Sequence, residues 1–194
     1  LNFVVPAGTP TGGTWARFRF STAGGLGPGG GAPDGEVEDY RVAIEAPELD
    51  FGDAPDVPYR TLLATNGARH LVDASIYLGA AIDTEADGQP SVLADGDDLG
   101  GADDEDGVAF LTPIQPGQTA DVRVTASIDG VLNTWFDWNQ DGDWADAGEQ
   151  VFVDQALVAG PNVLTFNVPA TANLGRVYAR FLSLIHISEP TRLR

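Results

Sequence analysis

Apolar and polar residues alternate in short runs along this chain, and no window sustains a 3.6-residue apolar period. Three strands are predicted near the N-terminus, over residues 1–5, 15–20 and 36–44, the last two joined by a Gly/Pro-rich loop over 24–35. Within 15–20, Ala16, Phe18 and Phe20 fall on one face and Trp15, Arg17 and Arg19 on the other. Within 36–44, Tyr40, Val42 and Ile44 share a face with Glu36 and Glu38, opposite Asp39 and Arg41. Arg17 and Arg19 are therefore expected to be cross-strand partners of these carboxylates. Six more strands are predicted over 108–111, 120–127, 132–138, 150–153, 163–168 and 176–181, with Asp129-Gly130 as a tight hairpin turn between the second and third. The fold class expected is all-β, with β-sandwich modules of Ig-like or jelly-roll-like kind joined by an acidic Gly/Asp-rich connection.

The apolar pattern also repeats over a long distance. Leu1-Asn-Phe-Val-Val-Pro-Ala7 aligns with Leu164-Thr-Phe-Asn-Val-Pro-Ala170, and Trp15-Ala-Arg-Phe18 with Tyr178-Ala-Arg-Phe181, at one constant offset and without a gap. A period this long indicates whole domains in series, since solenoid periods run to about 50 residues. Residues 1–46 then read as the C-terminal tail of one repeat, 47–107 as the acidic connection, and 108–181 as the sandwich of the next repeat, cut before its last strand. The strand over 36–44 is expected to fill the edge left by that cut. The match ends after Phe181, and residues 182–192 resemble the translated read-through of a transposase adapter used in sequencing libraries. Residues 182–194 are accordingly set apart as a non-native tail.

Charge narrows the function classes. The formal net charge is −19, every Lys/Arg position is Arg, and there is no Cys. Such a chain lacks the basic patches that nucleic acid and anionic membranes require. It also lacks thiolate ligands and nucleophiles, and no apolar run approaches the roughly 20 residues of a membrane span. Between Arg69 and Arg123 the charged residues are all acids, densest at Asp95, Asp97, Asp98, Asp103, Asp104, Glu105 and Asp106. Without cations this stretch is expected to repel itself and stay extended. Asp95, Asp97, Asp98, Asp103, Asp104 and Asp106 are equally candidates for a cation site.

The densest candidate chemistry is Asp137-Trp138-Asn139-Gln140-Asp141-Gly142-Asp143. Oxygen ligands occupy alternate positions 1, 3, 5 and 7 around a glycine at position 6, a spacing that suits Ca²⁺ and its six to eight oxygens. The loop departs from the EF-hand pattern: position 12 is Gly148, Glu149 follows one residue late, and the flanks read as strands. The expected ligands are Asp137, Asn139, Asp141 and Asp143, completed by Asp146 or Glu149. An Asx-rich turn without an ion is the alternative. Trp135, Trp138 and Trp144 are candidates for stacking on sugar rings, set against the alternative that they pack internally. Catalysis is not expected, because no Cys exists, His70 stands beside Arg69 without a partner in sequence, and no Ser lies in a nucleophile elbow.

Gly35-Glu36-Val37-Glu38-Asp39-Tyr40 resembles the signature of the GEVED domain of bacterial surface proteins. Leu49-Asp-Phe-Gly-Asp-Ala-Pro-Asp56, Asn66-Gly-Ala-Arg-His70, Asp87-Gly-Gln-Pro90 and Asp103-Asp-Glu-Asp-Gly107 resemble the connecting segments of those proteins. The resemblance implies a large, secreted or cell-surface protein of many β-sandwich repeats, and implies no reaction. The expected function is a non-catalytic, calcium-binding structural or adhesive module, with surface glycans or neighbouring repeats as partners. The alternative is a carbohydrate-binding module.

Overall fold

A computed structural model describes residues 3–6, 9–96 and 106–184 of the chain. They fall into two compact units, Leu1–Pro47 and Glu48–Arg194. The fold is all-β.

The first unit is an antiparallel pair, β1 (Gly12–Phe20) and β2 (Glu36–Ile44), in a register that sets Arg17 opposite Asp39 and Ala16 opposite Tyr40. Arg17 grips Asp39 through both ends of its fork, Nε to Oδ1 at 2.7 Å and Nη2 to Oδ2 at 2.7 Å. That hydrogen-bonded pair raises the Arg17 pKa and lowers that of Asp39. Arg17 Nη1 also donates to the carbonyl of Pro28. Arg19 departs from expectation: it donates to the carbonyls of Gly27, Gly29 and Gly30, so it holds the glycine loop instead of a carboxylate. Gly35 closes the loop at φ +101, where a Cβ would lie 1.8 Å from the Phe20 carbonyl oxygen, so only glycine fits. The signature stretch thus serves hairpin structure through Gly35 and Asp39. None of the described residues of this unit is buried.

Two expectations fail here. Residues 3–6 are not strand, although Phe166 and Asn167, the repeat equivalents of Phe3 and Val4, close β9, because a strand forms only against a partner. Strand 36–44 pairs with β1 in a two-stranded sheet, so it does not fill an edge of the sandwich.

The second unit begins with the supposed connection, whose described residues form short strands and turns. β3 (Leu49–Phe51) and β4 (Arg69–Leu71) pair antiparallel around a short helix, α1 (Asp56–Tyr59), and a 3-10 turn, Leu63–Thr65. Phe51, Ala54, Tyr59 and Thr61 are buried. The described acids there serve turns as hydrogen-bond acceptors. Asp56 accepts the N–H groups of Thr61 and Leu62, Asp87 that of Leu63, Asp73 that of Ser75, and Asp106 that of Ala80. The segment also docks on the sandwich: Gly79 N–H bonds Thr125 O and Ser127 N–H bonds Tyr77 O.

The sandwich consists of β5 (Val108–Phe110), β6 (Thr119–Ala126), β7 (Gly130–Phe136), β8 (Gln150–Leu157), β9 (Gly160–Asn167) and β10 (Ala179–Leu184). They form two three-stranded sheets, in orders β5-β6-β9 and β10-β7-β8. Alternate residues of β6, Ala120, Val122, Val124 and Ala126, join Leu132 and Phe136 of β7, Phe152 and Leu157 of β8, and Phe166 of β9 in one core. Each large apolar side chain buried there contributes about 1.5–3 kcal/mol.

Asp129-Gly130 is not a hairpin turn. β6 and β7 lie in different sheets, and Asp129 Oδ1 accepts the N–H of Ala159 in the crossing from β8 to β9, at 2.8 Å. The last strand also differs from the predicted 176–181, running from Ala179 through Leu184 and pairing with β7 down to Val131. Residues 182–184, set apart as tail, therefore belong to the sheet. Main-chain pairing is indifferent to the origin of the side chains.

Candidate metal centre

The loop 137–149 connects β7 to β8, and the backbone bonds at its base, Phe136 N–H to Glu149 O and Asp137 N–H to Tyr178 O, anchor it to its surroundings. Phe136, Asp137 and Trp138 are all buried, because the alternation of β7 ends where the chain curls inward. Asp137 is 0% exposed and Glu149 2%, which places two carboxylates inside the protein at the two ends of one loop. No Lys or Arg lies between them in sequence.

Each buried acid is held by donors. Asp137 accepts Gly142 N–H at 3.0 Å, Asp141 N–H at 3.2 Å and the Tyr59 hydroxyl at 2.5 Å. Glu149 accepts Trp138 N–H at 3.1 Å and Asp146 N–H at 3.2 Å. Burial, with Asp137 and Asp146 close by, holds Glu149 above the usual carboxylate range. Burial and the bond to Asp137 push the Tyr59 phenol up.

The exposed part of the loop gathers on Asn139, whose Nδ2 donates to Asp141 Oδ2 at 3.0 Å and to Asp146 Oδ2 at 2.6 Å. Its Oδ1 accepts Asp141 N–H, Asp141 Oδ1 accepts Asp143 N–H, and Asp143 Oδ1 accepts Ala145 N–H. The structure thus brings Asp137 to Asp141, Asn139 to Asp141 and Asp146, and Asp146 to Glu149. Asp143 is turned toward Ala145. Gly142 has φ +95, and a Cβ there would sit 2.3 Å from Pro58 Cγ. Among the described residues, no group of three or more His, Cys, Asp or Glu is arranged as a formed metal shell.

Sequence reasoning missed Tyr59 and Asn173. Tyr59 comes from the acidic segment and packs at 4.7 Å on Trp144 and 4.8 Å on Tyr178, so it buttresses the loop from beneath. Asn173 N–H donates to Trp138 O, and its side chain donates to Asn139 O. Nothing local in sequence signals either, since both stand far along the chain from the loop positions they touch.

Of the three tryptophans offered for sugar stacking, one is wholly internal. Trp138 stacks on Phe136 at 4.5 Å, donates to Gly148 O, and is core. Trp144 lies against Tyr59, with the Arg180 guanidinium 4.3 Å over its ring. Trp135 is half-buried in β7. In the second candidate cation region, Asp95 accepts the Ser91 hydroxyl and Asp106 accepts Ala80 N–H. Asp97, Asp98, Asp103 and Asp104 lie outside the described residues. Among the described residues, no helix is long and apolar enough to cross a membrane.

The family model described as "GEVED domain" matches residues 1–43 and 131–192, more than half of the chain, so the chain belongs to that family. The second match includes the candidate loop, and continues across the run that resembles adapter read-through. No curated protein and no solved structure matches the chain.

Proposed function

We propose, with this GEVED-domain membership as the premise, that the loop 137–149 binds calcium and that the chain is a non-catalytic structural or adhesive module of a secreted or cell-surface repeat protein. The observation that carries the reading is the pair of buried carboxylates, Asp137 and Glu149, in a loop with no basic residue. Buried charge is costly unless it is paired, hydrogen-bonded or bound to a metal. The amide group of Asn139 that bridges Asp141 and Asp146 also carries an oxygen ligand for a hard cation. Asp137, Asn139, Asp141, Asp146 and Glu149 would hold the ion, which would supply charge neutralisation and a cross-link between the ends of β7 and β8. Asp143 is the weakest of the expected ligands, because its Oδ1 is engaged by Ala145.

An extracellular-type affinity, Kd about 10⁻⁴–10⁻³ M, gives about 0.4–1.4 kcal/mol per site at roughly millimolar calcium. The long sequence period supports a serial array in which such increments stiffen successive domains. The test is thermal unfolding of the chain in EDTA and in calcium from micromolar to ten millimolar, with Mg²⁺ as control. A calcium-specific rise in Tm that Asp141→Asn removes is expected. An equal response to Mg²⁺, or none, reduces the loop to a chain of Asx turns.

A further inference from the structure

Contacts from α1, far upstream in the chain, reach three positions of the loop 137–149. The Tyr59 hydroxyl donates to Asp137 Oδ2 at 2.5 Å, and the Tyr59 ring lies 4.7 Å from that of Trp144. Pro58 sits so close to Gly142 that no Cβ fits between them. Tyr59 and Asp137 are both buried, so the bond between them is made out of water.

The two oxygens of Asp137 have different surroundings. Oδ2 accepts the Tyr59 hydroxyl and the Gly142 N–H, the latter at 3.0 Å. Among the described residues, Oδ1 accepts only the Asp141 N–H, at a longer 3.2 Å. Two donors therefore fix Oδ2, and Oδ1 is the oxygen left for a cation. A ligating carboxylate is normally oriented by hydrogen bonds from outside the coordination shell, and Tyr59 stands where such a partner stands. Tyr59 is in turn bound to its own segment. Its N–H donates to Pro55 O at 3.0 Å, and Asp56 Oδ1 accepts the N–H groups of Thr61 and Leu62 at 2.9 and 2.8 Å. Movement of Tyr59 therefore carries residues 55–62 with it.

We infer that Tyr59 is a positioning residue for the cation site of the loop, and that cation binding and the docking of residues 55–62 on the loop favour one another. This rests on the calcium reading of the loop. By linkage, the factor that docking adds to calcium affinity is the factor that calcium adds to docking. Loss of an outer-shell partner typically costs a metal site about 10- to 100-fold in affinity, which sets the size of the coupling. The ion then fastens the segment around α1 to the sandwich as well as closing the loop.

The test uses the full chain, with calcium affinity measured by calorimetry and docking by amide exchange at Thr61 and Leu62, in EDTA and in saturating calcium. The unsubstituted chain is expected to bind calcium and to slow exchange at both amides by about 10- to 100-fold. Tyr59→Phe keeps the ring and removes the hydroxyl. It is expected to weaken calcium binding by a like factor, and to abolish the slowing at Thr61 and Leu62 even when calcium saturates it. A purely structural role for Tyr59 would lower Tm and leave calcium affinity unchanged. That result, or calcium binding by the unsubstituted chain without slower exchange at Thr61 and Leu62, overturns this inference alone. No calcium binding by the unsubstituted chain overturns the calcium reading and this inference together. The exchange measurement on the unsubstituted chain decides the matter even where the variant fails to fold.

Discussion

Tyr59→Phe isolates the bond between the acidic segment and the candidate loop. The substitution removes one oxygen, and with it the 2.5 Å hydrogen bond to Asp137, while the ring contacts with Trp144 and Tyr178 remain. A hydrogen bond to a charged group contributes about 1.5–3 kcal/mol, and its removal here leaves a fully buried carboxylate with one donor fewer. The expected loss is about 2 kcal/mol, or about 4–8 °C in Tm for a unit of this size. Urea unfolding in EDTA, followed by tryptophan fluorescence, measures it: the midpoint should fall and the m-value should not change. A double-mutant cycle with Asp137→Asn should return a coupling of about 1 kcal/mol or more between the two positions. A loss below about 0.5 kcal/mol, the scale of an inconsequential surface change, would refute the claim that Tyr59 compensates a buried charge.

Gly142→Ala should cost at least about 2 kcal/mol, since the new Cβ meets both an unfavourable φ and the ring of Pro58; an unchanged Tm would contradict that geometry. Phe136→Ala, at the stacking centre of the core, should cost about 3–5 kcal/mol by chemical denaturation. Glu85 is pushed up to about 8 by burial and by its hydrogen bond with Asp83, with Asp50 and Asp83 adding repulsion. Its folded pKa lies above the ordinary 4.5, so its contribution is full below about 4.5 and is lost as pH rises toward about 8. A Tm profile over that window should slope downward, and Glu85→Gln should flatten it. Asn139→Asp removes the amide that bridges Asp141 and Asp146, so it should lower Tm in EDTA and steepen the calcium response. A lower Tm with no change in that response would count against the loop as a cation site.

Local chemistry made much of this protein legible in advance. Alternation placed β1, β2 and β5 to β9 to within a few residues, because a strand with one buried face writes its period into the chain. The Arg17–Asp39 pairing followed from that alternation, and the turn at Gly142 from the Asn, Asp and Gly residues around it. The failures share one cause. Whether Asp129-Gly130 turns a strand back or carries it to another sheet depends on which partner β6 finds, and that partner, β9, lies beyond two intervening strands of the other sheet. The dense acidic run, expected to repel itself, lies mostly outside the described residues, at 97–105. The described acids around it, Asp56, Asp73, Asp87 and Asp106, accept N–H groups of turns, and Tyr59 is anchored by Asp137 from across the unit.

Most of the strands, the repeat period, the lack of thiols and the oxygen ligands on offer to a hard cation are legible in the chain alone. These are properties of composition and spacing, which survive any arrangement of the strands. Only the tertiary structure decided that Trp138 is core, that Asp137 and Glu149 are buried while Asp141, Asp143 and Asp146 face solvent, and that Arg180 meets a cavity where Arg17 meets a carboxylate. Burial and pairing are relations between residues distant in the chain. They arise when two sheets close on one core, and no local pattern encodes which side chains that closure removes from water.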